Sequence, residues 1–271
     1  MILSLVTGDI RHALWAGDAG VERILVDLEG LAKRERQKDR GLFFSNHSLD
    51  DLRAIRAACP RASITVRVNS IHPGSAEEIG AVAIHRPDRI MLPWICSAGE
   101  IDRFLELLPP GVEPVLLLEN RWSLRFLPEL LQRFPVREVY IGLNDLSLDL
   151  GFRNFPRTLL HETFRTAVRH LRDSDLVWGF GGVGDFRDGS LSIAAEDFFL
   201  YQVRLGSRSG WLSRSFRRLL DGSSVEDATA FTLSRIREGV RRVAAESAER
   251  KEESIADFER VLAGLVDIEM Y

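Results

Sequence analysis

The chain has 271 residues, 45% of them hydrophobic and 28% charged, and a formal net charge of -4 from 36 basic and 40 acidic side chains. That balance offers nothing to attract nucleic acid or an anionic membrane surface, and no uncharged apolar run is long enough to cross a bilayer. The length suits one large core and matches the size of a (β/α)8 barrel.

In chain order, short aliphatic runs alternate with amphipathic stretches. Strands are predicted at 2–8, 22–30, 63–70, 89–95, 114–120, 138–145, 176–182 and 209–216. Most have an unbroken apolar centre, as parallel strands covered on both faces require. Between them, Leu49, Leu52, Ile55 and Cys59 recur at helical spacing, as do Ile101, Phe104, Leu105 and Leu108. Leu160, Phe164, Ala167, Val168 and Leu171 mark a third helix, and 193–206 reads as a fourth that stops at Gly206. Strict strand–helix alternation over eight units predicts a single closed TIM barrel, with an open doubly wound sheet as the alternative.

The whole chain, 1–271, reads as one domain: a barrel to about residue 245, then an additional C-terminal helix over about 246–271. Two apolar stripes (Leu233, Ile236, Val240 and Val243; then Ile255, Phe258, Leu262 and Leu265) flank the charge run 246–254. The second stripe needs a partner, its own barrel or a neighbouring subunit, and a homo-oligomer is expected. The start of the chain lacks the pattern of a secretory leader. Cys59 and Cys96 fit no metal-ligand spacing. A reduced, cytoplasmic protein with both thiols in the core is expected.

Barrel active sites lie at the C-terminal ends of the strands. The polar residues there are Asp27, Glu29, Arg67, Asn69, Glu119, Asn120, Asn144, Asp145 and Asp185, with Arg214 in the eighth unit. Glu119 follows four aliphatic residues, where a buried carboxylate is costly without a partner. Glu119 and Asp145 together suit Mg²⁺ or Mn²⁺, hard ions that keep exchangeable positions. A salt bridge for Glu119 and a helix N-cap for Asp145 are the structural alternatives. Arg67, awkward inside a strand, suits a substrate carboxylate or enolate oxygen, or an ion pair with Glu29 or Glu119. Gly142-Leu143-Asn144-Asp145 and Gly179-Phe180-Gly181-Gly182 are turns whose N–H groups suit a carboxylate.

The motifs DLEG (27–30), VRVN (66–69), IMLP (90–93), LLLEN (116–120), GLNDLSLDLG (142–151) and RLG…LSRSF (204–216) fall at successive strand ends. In that order they resemble the citrate lyase beta-subunit and class II 2-oxo-acid (HpcH/HpaI-type) aldolase family of the phosphoenolpyruvate/pyruvate superfamily. The resemblance implies a metal-dependent aldolase or lyase that makes or breaks a C–C bond through a pyruvate-type enolate. Its substrates would be a small 2-oxo acid and a sugar-like aldehyde. It makes Glu119 and Asp145 the metal ligands, Arg67 the group that stabilises the enolate, and the N–H groups around Gly142, Asn144 and Asp145 the carboxylate site.

Two positions depart from the family's patterns. Gly30 stands where the aldolases carry a catalytic His, and Gly30 and Trp94 stand where the acyl-CoA branch carries Asp and Lys. His47 is the first replacement for the missing proton carrier, His72 the second, and Glu29 is a further shuttle. Trp94 and Trp122 are candidates to line a pocket. An acyl-CoA lyase or thioesterase and a catalytically inactive binding barrel are the competing readings.

Overall fold

The computed structural model describes residues 1–31, 46–152, 155–188, 193–212 and 225–268. Arg214 and the 213–216 end of the eighth predicted strand lie outside these residues. Eight parallel strands close into a barrel in sequence order: β1 (Ile2–Val6), β2 (Arg23–Asp27), β3 (Ser63–Arg67), β4 (Arg89–Leu92), β5 (Glu113–Leu118), β6 (Glu138–Ile141), β7 (Val177–Val183) and β8 (Ser209–Leu212). Around it run α1 (Ile10–Asp18), α2 (Leu49–Ala58), α3 (Ser75–Ala83), α4 (Ala98–Leu107), α5 (Arg121–Arg133), α6 (Leu143–Asp149), α7 (Phe155–Leu160), α8 (Glu162–Arg172) and α9 (Ala195–Arg204). Two long helices, α10 (Val225–Ala244) and α11 (Ala248–Ile268), follow β8.

All eight predicted strands are present, and β1 to β6 each end about two to four residues before the predicted bound. β2 stops at Asp27, and β6 stops at Ile141. The segment 142–145, read as a strand end, instead enters α6, because Gly142 caps a turn and Leu143 and Leu146 bury at helical spacing. The helix expected over 159–171 between β6 and β7 is split at His161, which caps α8 by accepting from the Thr163 N–H.

Strand periodicity sends alternate side chains into the barrel. Leu25, Met91, Val115, Leu117 and Tyr140 form the inner packed layer, with Val6 and Trp211 against it. Below it, at the N-terminal mouth, Glu138 binds Arg23 at 2.5 Å and lies 3.5 Å from Arg89. This pairing belongs to the stabilising end of the barrel.

Tyr140 bridges the seam between β7 and β8: its hydroxyl donates to the Gly181 carbonyl (2.5 Å) and accepts from the Trp211 N–H (3.0 Å). Burial pushes this phenol well above its usual range, so it stays a neutral donor.

The second apolar stripe finds its partner in its own barrel. Ile255 and Leu262 are buried in the main core, and Phe258 stacks on Tyr201 at 4.5 Å. The charge run is only partly a solvated face: Glu246 pairs with Arg204 (2.8 Å) and Glu252 with Arg172 (2.5 Å). The expectation of two core thiols fails, since Cys96 is exposed and Cys59 only half-buried. No helix among the described residues is long and apolar enough to cross a membrane.

Candidate active site

Asp27, Glu29, Glu119 and Asp145 are all buried at the C-terminal mouth. Charges at such depth require compensation, because removal from water costs several kcal/mol per ion. Arg67 supplies part of it. Its register partner across β2 and β3 is Asp27. The two meet as a bidentate pair, Nε to Oδ1 at 2.8 Å and Nη2 to Oδ2 at 2.6 Å. Glu29 is 3.5 Å from Nη1, and the guanidinium lies 5.6 Å from the Trp211 ring centre. Burial works against the Arg67 charge, but the carboxylates of Asp27, Glu29 and Glu119 outweigh it and hold the group charged. The ion pair expected with Glu29 or Glu119 is therefore made first with Asp27, and Glu29 comes second. Asp27 was readable in DLEG as a polar strand end. Its role follows from the parallel register, which no motif spells out.

Glu119 is 2% exposed just beyond β5. Its Oε1 accepts from the Trp94 N–H at 2.9 Å. Trp94 reaches that position with φ 49, a left-handed conformation that costs a non-glycine residue about 1–2 kcal/mol. The strain turns a backbone amide onto a buried carboxylate, the kind of stored cost that gathers at functional sites. The other oxygen faces Gly142: a Cβ there would lie 2.7 Å from Oε2. Gly142 is thus a space requirement set by Glu119.

Asp145 sits in the first turn of α6, not at a strand end and not at the N-cap, which is Gly142. No side chain caps this turn, and the first N–H groups of a helix carry the positive end of its peptide dipoles. Asn144 is exposed beside it. Among the described residues, no group of three or more His, Cys, Asp and Glu is arranged to hold a metal ion.

His47 reaches the site from the segment before α2, whose start is fixed by a Ser48–Asp51 capping box. Its Nδ1 accepts from the Asp27 N–H at 3.0 Å. A neutral imidazole in that bond carries its proton on Nε2. His72 is committed elsewhere: Nδ1 accepts from the Gly74 N–H and Nε2 meets Glu78 at 3.0 Å. Gly30, at the departure from the family pattern, is held by Asn69, whose Oδ1 accepts from the Gly30 and Leu31 N–H groups (2.9 and 2.7 Å). Asp185 is engaged by the Thr232 hydroxyl (3.1 Å) and by Arg187. Of the GFGG glycines, Gly179 and Gly181 serve the β7–β8 seam.

No family model matches the chain, and no curated protein matches it in sequence. Solved structures match in fold. An HpcH/HpaI aldolase from Desulfitobacterium hafniense superposes with a TM-score of 0.59 at 13% identity, covering 91% of this chain and 93% of its own. The citrate lyase beta subunit from M. tuberculosis, complexed with oxaloacetate and magnesium, gives 0.57 at 16% identity, covering 89% and 96%. The 3-hexulose-6-phosphate synthase from Salmonella typhimurium gives 0.53 at 12%, covering 90% and 100%. At these identities the likeness is one of fold, a TIM barrel of the kind used by these enzymes.

Proposed function

We propose that this chain is a divalent-metal-dependent lyase or aldolase of the citrate lyase beta-subunit and HpcH/HpaI type, acting next to a pyruvate-like unit through an enolate. The observation that carries the reading is Glu119: a buried carboxylate at a strand end, oriented by the strained Trp94 amide and given room by Gly142. The donor chemistry fits Mg²⁺ or Mn²⁺, since Glu119 and Asp145 are hard oxygen ligands. Two protein carboxylates would leave the remaining positions to water and substrate. When bound, the ion supplies Lewis acidity toward the keto oxygen of a 2-oxo acid.

The chain's own residues do the rest. Arg67, fixed through Nε and Nη2 by Asp27, keeps Nη1, 3.5 Å from Glu29, as the nitrogen for the developing enolate oxygen. The first turn of α6 offers N–H groups to the substrate carboxylate. The two groups divide by geometry. Glu29, beside Arg67 Nη1, is the acceptor for the C3 proton and, once protonated, the group that gives it back. His47, neutral with its proton on Nε2, serves as a hydrogen-bond donor to the reacting oxygen.

The metal site is tested by titrating Mn²⁺ and following the free ion by electron paramagnetic resonance. Wild-type protein should bind one Mn²⁺, more tightly with oxalate present. Glu119→Gln and Asp145→Asn should each weaken binding by about 10–100-fold, and Gly142→Ala should weaken it by displacing Oε2. Unchanged affinity in Glu119→Gln would overturn the assignment.

A further inference from the structure

Past the strand ends of β4 and β5 lies an open cavity of about 550 Å³, lined by Trp94 and Asn120, which lie near Glu119, but not by Glu119 itself. That is the size range of small-molecule sites. Its walls include Trp94, Trp122 and Phe126, with Arg121 and Arg125 at the rim. Trp122 and Phe126 stack with their ring centres 4.6 Å apart and their planes 18° from parallel. Such a wall favours a flat ring. Trp94 joins the cavity to the metal site, because its N–H holds Glu119.

The polar groups here are mostly spent. The Asn120 amide caps α5 through Oδ1 on the Ser123 N–H, and its Nδ2 donates to the Ile95 carbonyl. Asp149 takes both the N–H and the Nε of Arg121. Both of those bonds end on Oδ2, and the two cations Arg121 and Arg125 outnumber Asp149 in the lining, so the charge here favours an acid. Arg125 is exposed one helical turn from Arg121, with its guanidinium available to an anion.

We infer that this cavity is the pocket for the second substrate, and that it takes a planar aromatic ring bearing an acid group, an aryl aldehyde acid rather than a sugar-like aldehyde. The ring lies against Trp122 and Phe126, and the acid meets Arg125. The inference rests on the enolate reading for the other half of the reaction. Its test needs neither metal nor pyruvate, so the two can fail separately.

Ligand-observed NMR titrations of metal-free protein would compare 4-formylbenzoate, benzaldehyde, glyceraldehyde and adenosine monophosphate. 4-Formylbenzoate should bind about tenfold more tightly than benzaldehyde, and glyceraldehyde least of all. Arg125→Gln should remove the advantage of the acid and leave benzaldehyde unaffected. Trp122→Leu should weaken both aromatic ligands by about tenfold. Equal affinity for 4-formylbenzoate and benzaldehyde, or no binding of either, overturns the proposal. Tighter binding of glyceraldehyde or of adenosine monophosphate overturns it in favour of a sugar or a nucleotide.

Discussion

Arg67→Met is expected to destabilise the protein by about 3–5 kcal/mol, more than Asp27→Asn does. The reason lies in who depends on whom. Arg67 is bidentate to Asp27 and 3.5 Å from Glu29, and all three are buried. Removing the cation strands two carboxylates. Removing Asp27's charge strands one guanidinium that still has Glu29 beside it. In a chain of this size the larger loss lowers the melting temperature by roughly 10 °C. Thermal unfolding of the two variants beside wild type checks the order. If Asp27→Asn is the more damaging, the mouth is not organised around Arg67.

Gly179→Ala should be comparably severe, at about 3 kcal/mol or more, for a reason unrelated to the site. A Cβ on Gly179 would fall inside the van der Waals envelope of the Ser209 carbonyl and within 2.8 Å of the Tyr140 ring. Neither can yield cheaply. Ser209 is Gly179's strand partner at the β7–β8 seam, where the register shifts, and Tyr140 ties that seam through Gly181 and Trp211. Gly111→Ala is the comparison. Its φ of +86 carries a backbone penalty that Gly179 does not have, and nothing lies within 4 Å of the added atom. It should cost only about 1 kcal/mol. Equal losses in chemical denaturation would show that the seam yields to the added methyl and that the close approach is not what Gly179 provides.

The barrel was legible because its strands are buried on both sides and read as aliphatic blocks, such as VLLL in β5. Their ends were less so. Leu143, Leu146 and Leu148 alternate with polar residues in a way that fits either a strand or a helix, and only the turn at Gly142 decides for α6. That moved Asp145 from a strand end into a helical turn. The partner of Arg67 was hidden for another reason. Which residues face each other across β2 and β3 depends on register, and a one-residue slip exchanges every neighbour. The strained Trp94 amide had no sequence signal at all, since a bulky residue gives no hint of positive φ. The C-terminal stripes were plain in the sequence, but what covers them is a matter of chain path. The Phe258–Tyr201 stack answers it within the same barrel.

The central claim, that Glu119 takes part in a metal-dependent enolate chemistry, is tested most directly by hydrogen exchange at the pyruvate methyl group. Protein with pyruvate in deuterium oxide, with and without Mn²⁺, would be followed by proton NMR. The expected result is methyl exchange that needs Mn²⁺, falls by about 10²–10³-fold in Glu119→Gln, and falls likewise in Arg67→Gln. Exchange that proceeds equally well without the metal, or at the wild-type rate in Glu119→Gln, would contradict it.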